Sequence, residues 1–403
     1  METEIHFTPD SLVTPDVLAD PYPAYDALRP RSPFRYPYLP AGIAPGMTEP
    51  VMAWALLRHE DVYHALRDHE TFSSERSPLV ERGLSPRLTL LFDDPPRHSR
   101  LRRLINHAFT TRRIEALEPW MNGIVEELLD DLGEGEVEIM QSFAIPLPMK
   151  VIARLLGIPQ SEYRTFRTWS EAFVSTIAMP HEERRRKIGE MSTYFGKITL
   201  ERRTQGAEDL ITALVEAEVE GEALEDAEIL GLCIVLLVAG NETTVNLIGA
   251  MLHVLAERPA LWEQLQRDRG LIEAFIEETL RYESPVQRMP RRTTRPVEIG
   301  GVLIPEGDPV ILFYGAANRD PAAFPDPDEF RLDRDLRNHT AFGAGIHYCM
   351  GAPLARTEAR ITLNAFLDRY SSLTPGTTPP MKQRASGTIL GFQQLPLTPI
   401  RRL

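Results

Sequence analysis

Cysteine is scarce in this sequence: the chain of 403 residues contains two, Cys233 and Cys349. Two thiols form at most one disulfide, and a reducing compartment disfavours even that one. Neither cysteine has the companions that a four-ligand structural zinc site requires. A disulfide scaffold and a zinc module are therefore excluded, and a single reactive or buried thiol remains to be explained.

Long hydrophobic runs are also missing. The longest, from Ile229 to Gly240, has 12 residues, whereas a bilayer span needs roughly 20. This run predicts a buried core helix, with Cys233 as a core residue. The opening METEIHFTPDSLVTPDV lacks the apolar segment of a secretory signal. We therefore expect a cytoplasmic protein with no membrane segment.

Positive charge is in deficit, with 44 Lys and Arg against 58 Asp and Glu and a net charge of −14. Nucleic-acid binding needs a broad basic surface, so this balance argues against a general nucleic-acid binder. The hydrophobic fraction of 43% and the charged fraction of 25% are ordinary globular values. Length alone would favour two or more domains.

The hydrophobic periodicity predicts a mainly α fold with small β-sheets. The first fifty residues are rich in proline and predict an extended segment with short helical turns. Strands are expected near 51–57, 297–299 and 310–312, with a short helix over 61–68 between them. Longer helices are expected over 99–109, 113–133, 146–156, 161–179, 181–205, 209–217, 226–256, 259–282 and 352–370.

A glycine-rich loop from Phe342 to Gly351 contains Cys349 and immediately precedes the last predicted helix. A helix N-terminus lowers the pKa of a nearby thiol, so the position favours a thiolate. Gly343 and Gly351 would let the backbone approach a flat cofactor, and Phe342 could shield the sulfur from water. A buried inert cysteine and a nucleophile paired with His347 are the alternatives, and the surrounding residues favour neither.

A second cluster interrupts the most apolar predicted helix with the sequence Ala239-Gly240-Asn241-Glu242-Thr243-Thr244. Buried polar groups without partners cost about 1–3 kcal/mol each, so these residues need a reason. The structural alternative is that each threonine bonds to the carbonyl four residues earlier and merely bends the helix.

Together these motifs resemble the cytochrome P-450 family, whose haem loop reads F-x-x-G-x-x-x-C-x-G and whose oxygen-side helix carries A-G-x-[DE]-T-T. The resemblance implies that Cys349 is the metal ligand, an axial thiolate of haem b that favours O–O cleavage. It implies that Ala239 and Gly240 leave room for O₂, that Thr243 hydrogen-bonds the bound oxygen, and that Glu242 supplies protons.

The resemblance also assigns a structural pair and a set of haem contacts. Glu278 and Arg281 match the family's E-x-x-R, which implies a buried ion pair. The expected third partner is missing, because Glu329 stands where the family has an arginine, so the candidates are Arg319, Arg331 and Arg334. Cations for the haem propionates are assigned to His98, Arg102, Arg291 and His347.

The implied protein is a single haem domain over 1–403, a triangular helical prism that encloses haem, acting as a monomeric monooxygenase of an apolar small molecule. A peroxide-driven peroxygenase and a non-catalytic gas sensor are the alternatives, and the acid and alcohol pair favours the monooxygenase. The variable contact regions predict a substrate pocket lined by Leu88, Leu91, Leu236, Val286, Met289, Ile389 and Leu390.

Electrons are expected from a separate ferredoxin or flavodoxin with its NAD(P)H reductase. The sequence has neither a phosphate-binding G-x-x-x-x-G-K-[ST] loop nor clustered iron–sulfur cysteines. A basic cluster in an otherwise acidic chain is the expected docking surface for such an acidic partner. Its members are Arg97, Arg100, Arg103, Arg112 and Arg113.

Overall fold

The computed structural model describes residues 6–42, 47–75, 89–108, 110–174, 179–219, 221–384 and 386–402. Its chain divides into two compact units, of which the first contains residues 1–86, 277–349 and 382–390 and the second the remainder. The fold is mainly α with small β-sheets, as the periodicity predicts.

The first unit is built on a five-stranded sheet. In spatial order its strands are Phe34–Leu39, Val51–Leu56, Pro309–Phe313, Arg288–Thr293 and Phe72–Ser73. Only the contact between the second and third is parallel. A separate hairpin pairs Val297–Ile299 with Val302–Ile304. The helices are Pro15–Ala19, Tyr22–Leu28, His59–Arg67, Tyr314–Ala317 and the end of Ile272–Tyr282, with 3₁₀ turns at Pro9–Val13, Arg29–Arg31 and Gly345–His347.

The second unit is mostly helical. Its longest helix, Asp226–Glu257, is called the long helix below, and Ala352–Arg369 is called the cysteine helix. The other helices are Arg97–Ala108, Thr111–Asp130, Pro146–Leu155, Tyr163–Val174, His181–Thr204, Leu210–Glu216 and Pro259–Arg267. A three-stranded sheet orders Tyr370–Pro375, Pro396–Arg401 and Val137–Glu138, and a hairpin pairs Glu218–Val219 with Glu222–Ala223.

The long helix is apolar enough, by length and composition alone, to pass a test for membrane spans. Half of its most apolar window is buried inside the protein, and a core helix passes the same test. The side chains of Ile229, Cys233, Leu237 and Ile248 are almost completely buried. This burial agrees with the prediction of a core helix, and the burial raises the pKa of the Cys233 thiol.

Candidate functional site

The Cys349 loop belongs to the first unit as far as Cys349, and glycines shape it. Gly343 and Gly345 have φ values of 70° and 67°, a left-handed conformation that other residues rarely adopt. A Cβ on Gly345 would lie 2.5 Å from the carbonyl oxygen of Leu66, so this glycine lets the loop pack against the end of the helix His59–Arg67. The Cys349 amide donates to the carbonyl of Phe342 over 3.0 Å and closes the loop.

Of the predicted propionate-binding residues, His347 lies within this loop and Arg291 lies near it. Arg291 is 5% exposed in the strand Arg288–Thr293, its Nη1 donates to the Pro290 carbonyl over 2.7 Å, and its positive charge acts on Tyr314. The Tyr314 hydroxyl lies 3.9 Å from where a Cβ on Gly343 would stand. Burial raises the pKa of Tyr314, so its hydroxyl stays protonated. His347 shares a hydrogen bond of 3.1 Å with Ser74. The structure therefore groups Arg291, His347 and the Cys349 loop.

The second unit carries the acid and alcohol residues on the long helix. Ala239 is exposed although it lies in the middle of this buried apolar helix. Leu236 and Thr243, three positions before and four after it, are partly exposed on the same face. The Thr243 hydroxyl donates to the Ala239 carbonyl over 2.7 Å, the bond expected if the threonine merely bends the helix, and its lone pairs can still accept a hydrogen bond.

Gly240 packs closely against a neighbouring helix. A Cβ at this position would lie 3.0 Å from Cδ1 of Ile152 in the helix Pro146–Leu155. Successive residues are turned by about 100° around a helix, so Gly240 and Ala239 point in different directions. In the structure its missing side chain serves close packing of two helices.

His98 and Arg102 lie one turn apart on the helix Arg97–Ala108, with His98 2% exposed and Arg102 half-buried. This spacing puts both side chains on one face, as the i,i+4 pattern predicts. Part of the neighbouring basic cluster is neutralised within the unit. Arg100 bonds Glu228 at 2.9 Å, and Arg103 lies 3.8 Å from Glu222.

The predicted substrate residues divide into three groups. Leu88 lies outside the described residues. Leu91, Leu236, Val286, Met289 and Ile389 are each partly exposed, and Val286 and Ile389 form an antiparallel backbone bridge. Leu390 is 3% exposed and belongs to the hydrophobic core near the N-terminus. The structure therefore gives Leu390 a packing role, unlike its predicted neighbours.

The ion pair of Glu278 and Arg281 is completely buried. Nε and Nη2 of Arg281 each lie 2.7 Å from one carboxylate oxygen, which makes the pair bidentate. Arg334 is the third partner, because its Nε donates to Oε1 of Glu278 over 3.2 Å. Arg331 contributes only its backbone amide, and Arg319 pairs with Asp328 instead.

Glu358 and Thr362, one turn apart on the cysteine helix, did not emerge from the sequence analysis. Glu358 is 2% exposed, and Thr362 is completely buried. Neither Oε2 of Glu358 nor the Thr362 hydroxyl has a hydrogen-bond partner among the described residues. Burial raises the pKa of Glu358 to about 8, so this acid is mostly neutral near pH 7. In the sequence, Glu358 could have been noticed as a single acid among apolar residues at helical spacing.

We expect Glu358→Gln to remove part of the pH dependence of stability. The pKa of Glu358 is higher in the folded chain than the unfolded value near 4.3, so its stabilising effect is complete below about pH 4 and is lost as the pH rises towards 8. At roughly 1.4 kcal/mol per pKa unit, the loss amounts to several kcal/mol.

Urea unfolding at pH 5.5 and pH 8.5 measures this effect as the difference between the wild type and the variant. Asp368→Asn, an exposed acid on the same helix, is the matched control and should leave the wild-type slope unchanged. Equal slopes for the wild type and Glu358→Gln would show that Glu358 is ionised in the folded chain.

Each unit by itself has features that suit a flat apolar cofactor. The long helix presents an open apolar stripe at Leu236 and Ala239, and the first unit supplies a glycine loop, a thiol and a buried guanidinium, Arg291. Among the described residues, no group of three or more His, Cys, Asp and Glu could hold a metal ion. A metal held by its own organic macrocycle and one thiolate is compatible with this donor set.

Comparison with known proteins agrees with this chemistry. The family model for cytochrome P450 matches residues 47–145 and 135–398. Cytochrome P450 107B1 from Saccharopolyspora erythraea is 40% identical, and the match covers 86% of this chain and 89% of the relative. The erythromycin C-12 hydroxylase of the same organism is 37% identical, with 85% and 88% covered.

A solved structure supports the same conclusion. A cytochrome from Bacillus megaterium in complex with corticosterone has 34% sequence identity and a TM-score of 0.82, and the match covers 95% of this chain and 99% of that one. The chain therefore belongs to the cytochrome P450 family of haem b proteins, and it is a monooxygenase that acts on small molecules with O₂ and redox partners.

Proposed function

We propose that the Cys349 thiolate would hold the haem iron, and that Glu242 and Thr243 deliver protons during oxygenation of an uncharged, apolar substrate. The observation that carries this proposal is the placement of an acid and an alcohol side by side at the open stretch of an otherwise buried apolar helix. When bound, the haem supplies the activation of O₂.

The residues of the chain then have separate tasks. Glu242 gives a proton, and the Thr243 hydroxyl passes it on by donating one hydrogen while accepting another. At rest the single hydroxyl hydrogen of Thr243 is donated to the Ala239 carbonyl, so this bond must open when the hydroxyl passes a proton on. We also propose that a further set of residues contacts the haem. Its members are His98, Arg102, Ala239, Gly240, Arg291, Phe342, Gly343, His347 and Gly351.

The substrate class is argued from the side chains that remain partly exposed. Leu91, Leu236, Val286, Met289 and Ile389 are all apolar, so they offer no counter-charge to an ionised substrate. Two similar proteins agree with this class, since one is an erythromycin hydroxylase and another is solved in complex with corticosterone.

We further propose that the chain is a single haem domain over 1–403, acts as a monomer in the cytoplasm, binds neither nucleic acid nor membrane, and receives electrons from a ferredoxin or flavodoxin with its NAD(P)H reductase. The ion pairs of Arg100 and Arg103 with Glu222 and Glu228 reduce the basic character of the predicted docking cluster. The exposed Arg112 and Arg113 therefore become its main candidates.

Corticosterone is the probe that tests this proposal. It is expected to shift the ferric spin state of the holoenzyme and to gain one oxygen atom during turnover with a plant-type ferredoxin, its reductase and NADPH. In Thr243→Ala we expect product per NADPH to fall by about tenfold or more, because a proton transfer worth 10²–10⁴ in rate is impaired. The missing electrons should appear as hydrogen peroxide.

Thr244→Val is the matched control, because the Thr244 hydroxyl is buried and bonds to the Gly240 carbonyl of its own helix. It should retain the wild-type yield of product. Unchanged yield in Thr243→Ala would refute the proton-delivery role. A spin-state shift with palmitate but none with corticosterone would refute the uncharged substrate class.

A further inference from the structure

A small cavity borders the acid of the long helix within the second unit. Its volume is about 70 Å³, which is room for a few water molecules and too little for an organic substrate. Its polar wall consists of Arg167, Asn241, Glu242 and Asn246. A space of this size next to several polar groups is suited to water, because each water molecule needs two to four polar partners.

Asn241 has a hydrogen-bonding capacity that the protein leaves unused. The residue is 2% exposed, and its Nδ2 donates to the hydroxyl of Ser170 over 3.2 Å. Its Oδ1 has no hydrogen-bond partner among the described residues. Exchanging the amide oxygen and nitrogen would leave the NH₂ group unsatisfied instead, so one end of this amide needs a partner in either orientation. Water in the cavity would supply that partner.

The outer wall of the cavity contains an irregular turn. Met140–Ala144 is π-helical, a form that occurs mostly as single turns and frequently at functional sites. Gln141 in this turn accepts a hydrogen bond of 2.5 Å from Nη2 of Arg167. Met140 and Arg167 both line the cavity. A half-buried arginine therefore stands between the cavity and the polar surface at Gln141.

We propose that this cavity holds ordered water that passes protons to the Glu242 carboxylate, and that Asn241 is the positioning residue that anchors this water. The proposal rests on the proposed function, because it presumes that Glu242 gives up a proton in each turnover. The Glu242 carboxylate accepts a proton from a cavity water. That water then recovers a proton from solvent through the other waters of the cavity. No net charge stays in the cavity.

Ser170 has an auxiliary task in this arrangement. Its completely buried hydroxyl bonds one end of the Asn241 amide and thereby aims the other end into the cavity. Without the Ser170 hydroxyl the Asn241 amide would be free to rotate, but it would still be present. Ser170→Ala should therefore show the same defect as a variant without the amide, but in a milder form.

The test compares the holoenzyme with Asn241→Leu, Asn241→Ser and Ser170→Ala, with Thr244→Val as the control. The first readout is ordered water in high-resolution crystal structures. Wild type and Asn241→Ser should show water at hydrogen-bond distance from residue 241, and Asn241→Leu should show a dry cavity. The second readout is the share of NADPH electrons that leaves as hydrogen peroxide with corticosterone, which should rise about threefold or more in Asn241→Leu and recover partly in Asn241→Ser.

The two proposals fail in different ways. A wild-type protein that lacks thiolate-ligated haem, or that transfers no oxygen to any probe, would overturn the proposed function. A wild-type cavity without water, or an Asn241→Leu variant whose peroxide share equals that of Thr244→Val, would overturn the role of Asn241 alone. A destabilised Asn241→Leu leaves Asn241→Ser and Ser170→Ala to decide the same question.

Discussion

Cys349→Ser is expected to abolish the strongly red-shifted Soret band that the dithionite-reduced protein should show with CO, and to reduce turnover to background. A serine hydroxyl stays protonated near neutral pH, whereas a thiol just before a helix is readily ionised. Only the thiolate pushes electron density towards the iron and favours O–O cleavage. The measurement is the difference spectrum of the reduced protein with and without CO.

Cys233→Ala is the control for this experiment. Cys233 is completely buried in the long helix, and burial raises the pKa of its thiol, so it is a core residue and no alternative ligand. The variant should keep the red-shifted band, with a modest loss of stability from the small cavity. A red-shifted band that survives in Cys349→Ser would show that the iron is bound elsewhere in the chain.

The helical part of the fold is largely readable from the sequence, because amphipathic and buried helices have a strong periodic pattern. The predicted helix over 226–256 is found as Asp226–Glu257. The prediction over 259–282 was wrong in treating it as one helix, because it breaks after Arg267. There the Asp268 carboxylate accepts from the Gly270 amide and caps a new turn, a local competition that periodicity does not show.

The strand Arg288–Thr293 was not predicted, although it lies inside the five-stranded sheet. Its sequence RMPRRT has no alternation of apolar and polar residues. Arg288 is buried all the same, because its guanidinium donates to the Leu12 carbonyl and lies over the rings of Tyr36 and Phe313. These partners come from distant parts of the chain, so no local pattern could reveal that the strand is internal.

For the candidate site too, the sequence predicts which residue types take part in the chemistry but not which neighbours they pack against. Residue types, spacing and the resemblance to the family predict Cys349, Glu242 and Thr243 as site residues. Rotation about the helix axis decides which neighbours share a face, and here it directs Gly240 towards Ile152. The unsatisfied amide of Asn241 is likewise a property of its packing against Ser170, which lies 71 residues away in sequence.

Glu278→Gln is expected to lower the free energy of unfolding by about 3–5 kcal/mol, because it leaves buried guanidinium groups without a counter-charge. The Glu278 carboxylate serves two arginines, Arg281 through two bonds and Arg334 through one. Arg281 has no exposed side-chain surface and Arg334 only 6%, so solvent cannot replace the lost charge. The whole stability of a domain is only about 5–15 kcal/mol, so much less folded protein should accumulate.

Urea unfolding of the purified holoenzyme measures this loss, and Glu277→Gln is the matched control one residue away. Glu277 is partly exposed and pairs with His339, so its neutralisation should cost about 1 kcal/mol or less. Arg334→Leu should fall between the two, because Arg281 keeps its bidentate partner. If Glu278→Gln does not fold, this graded series still decides the question: an Arg334→Leu variant as stable as Glu277→Gln would mean that the third arginine contributes nothing to the buried cluster.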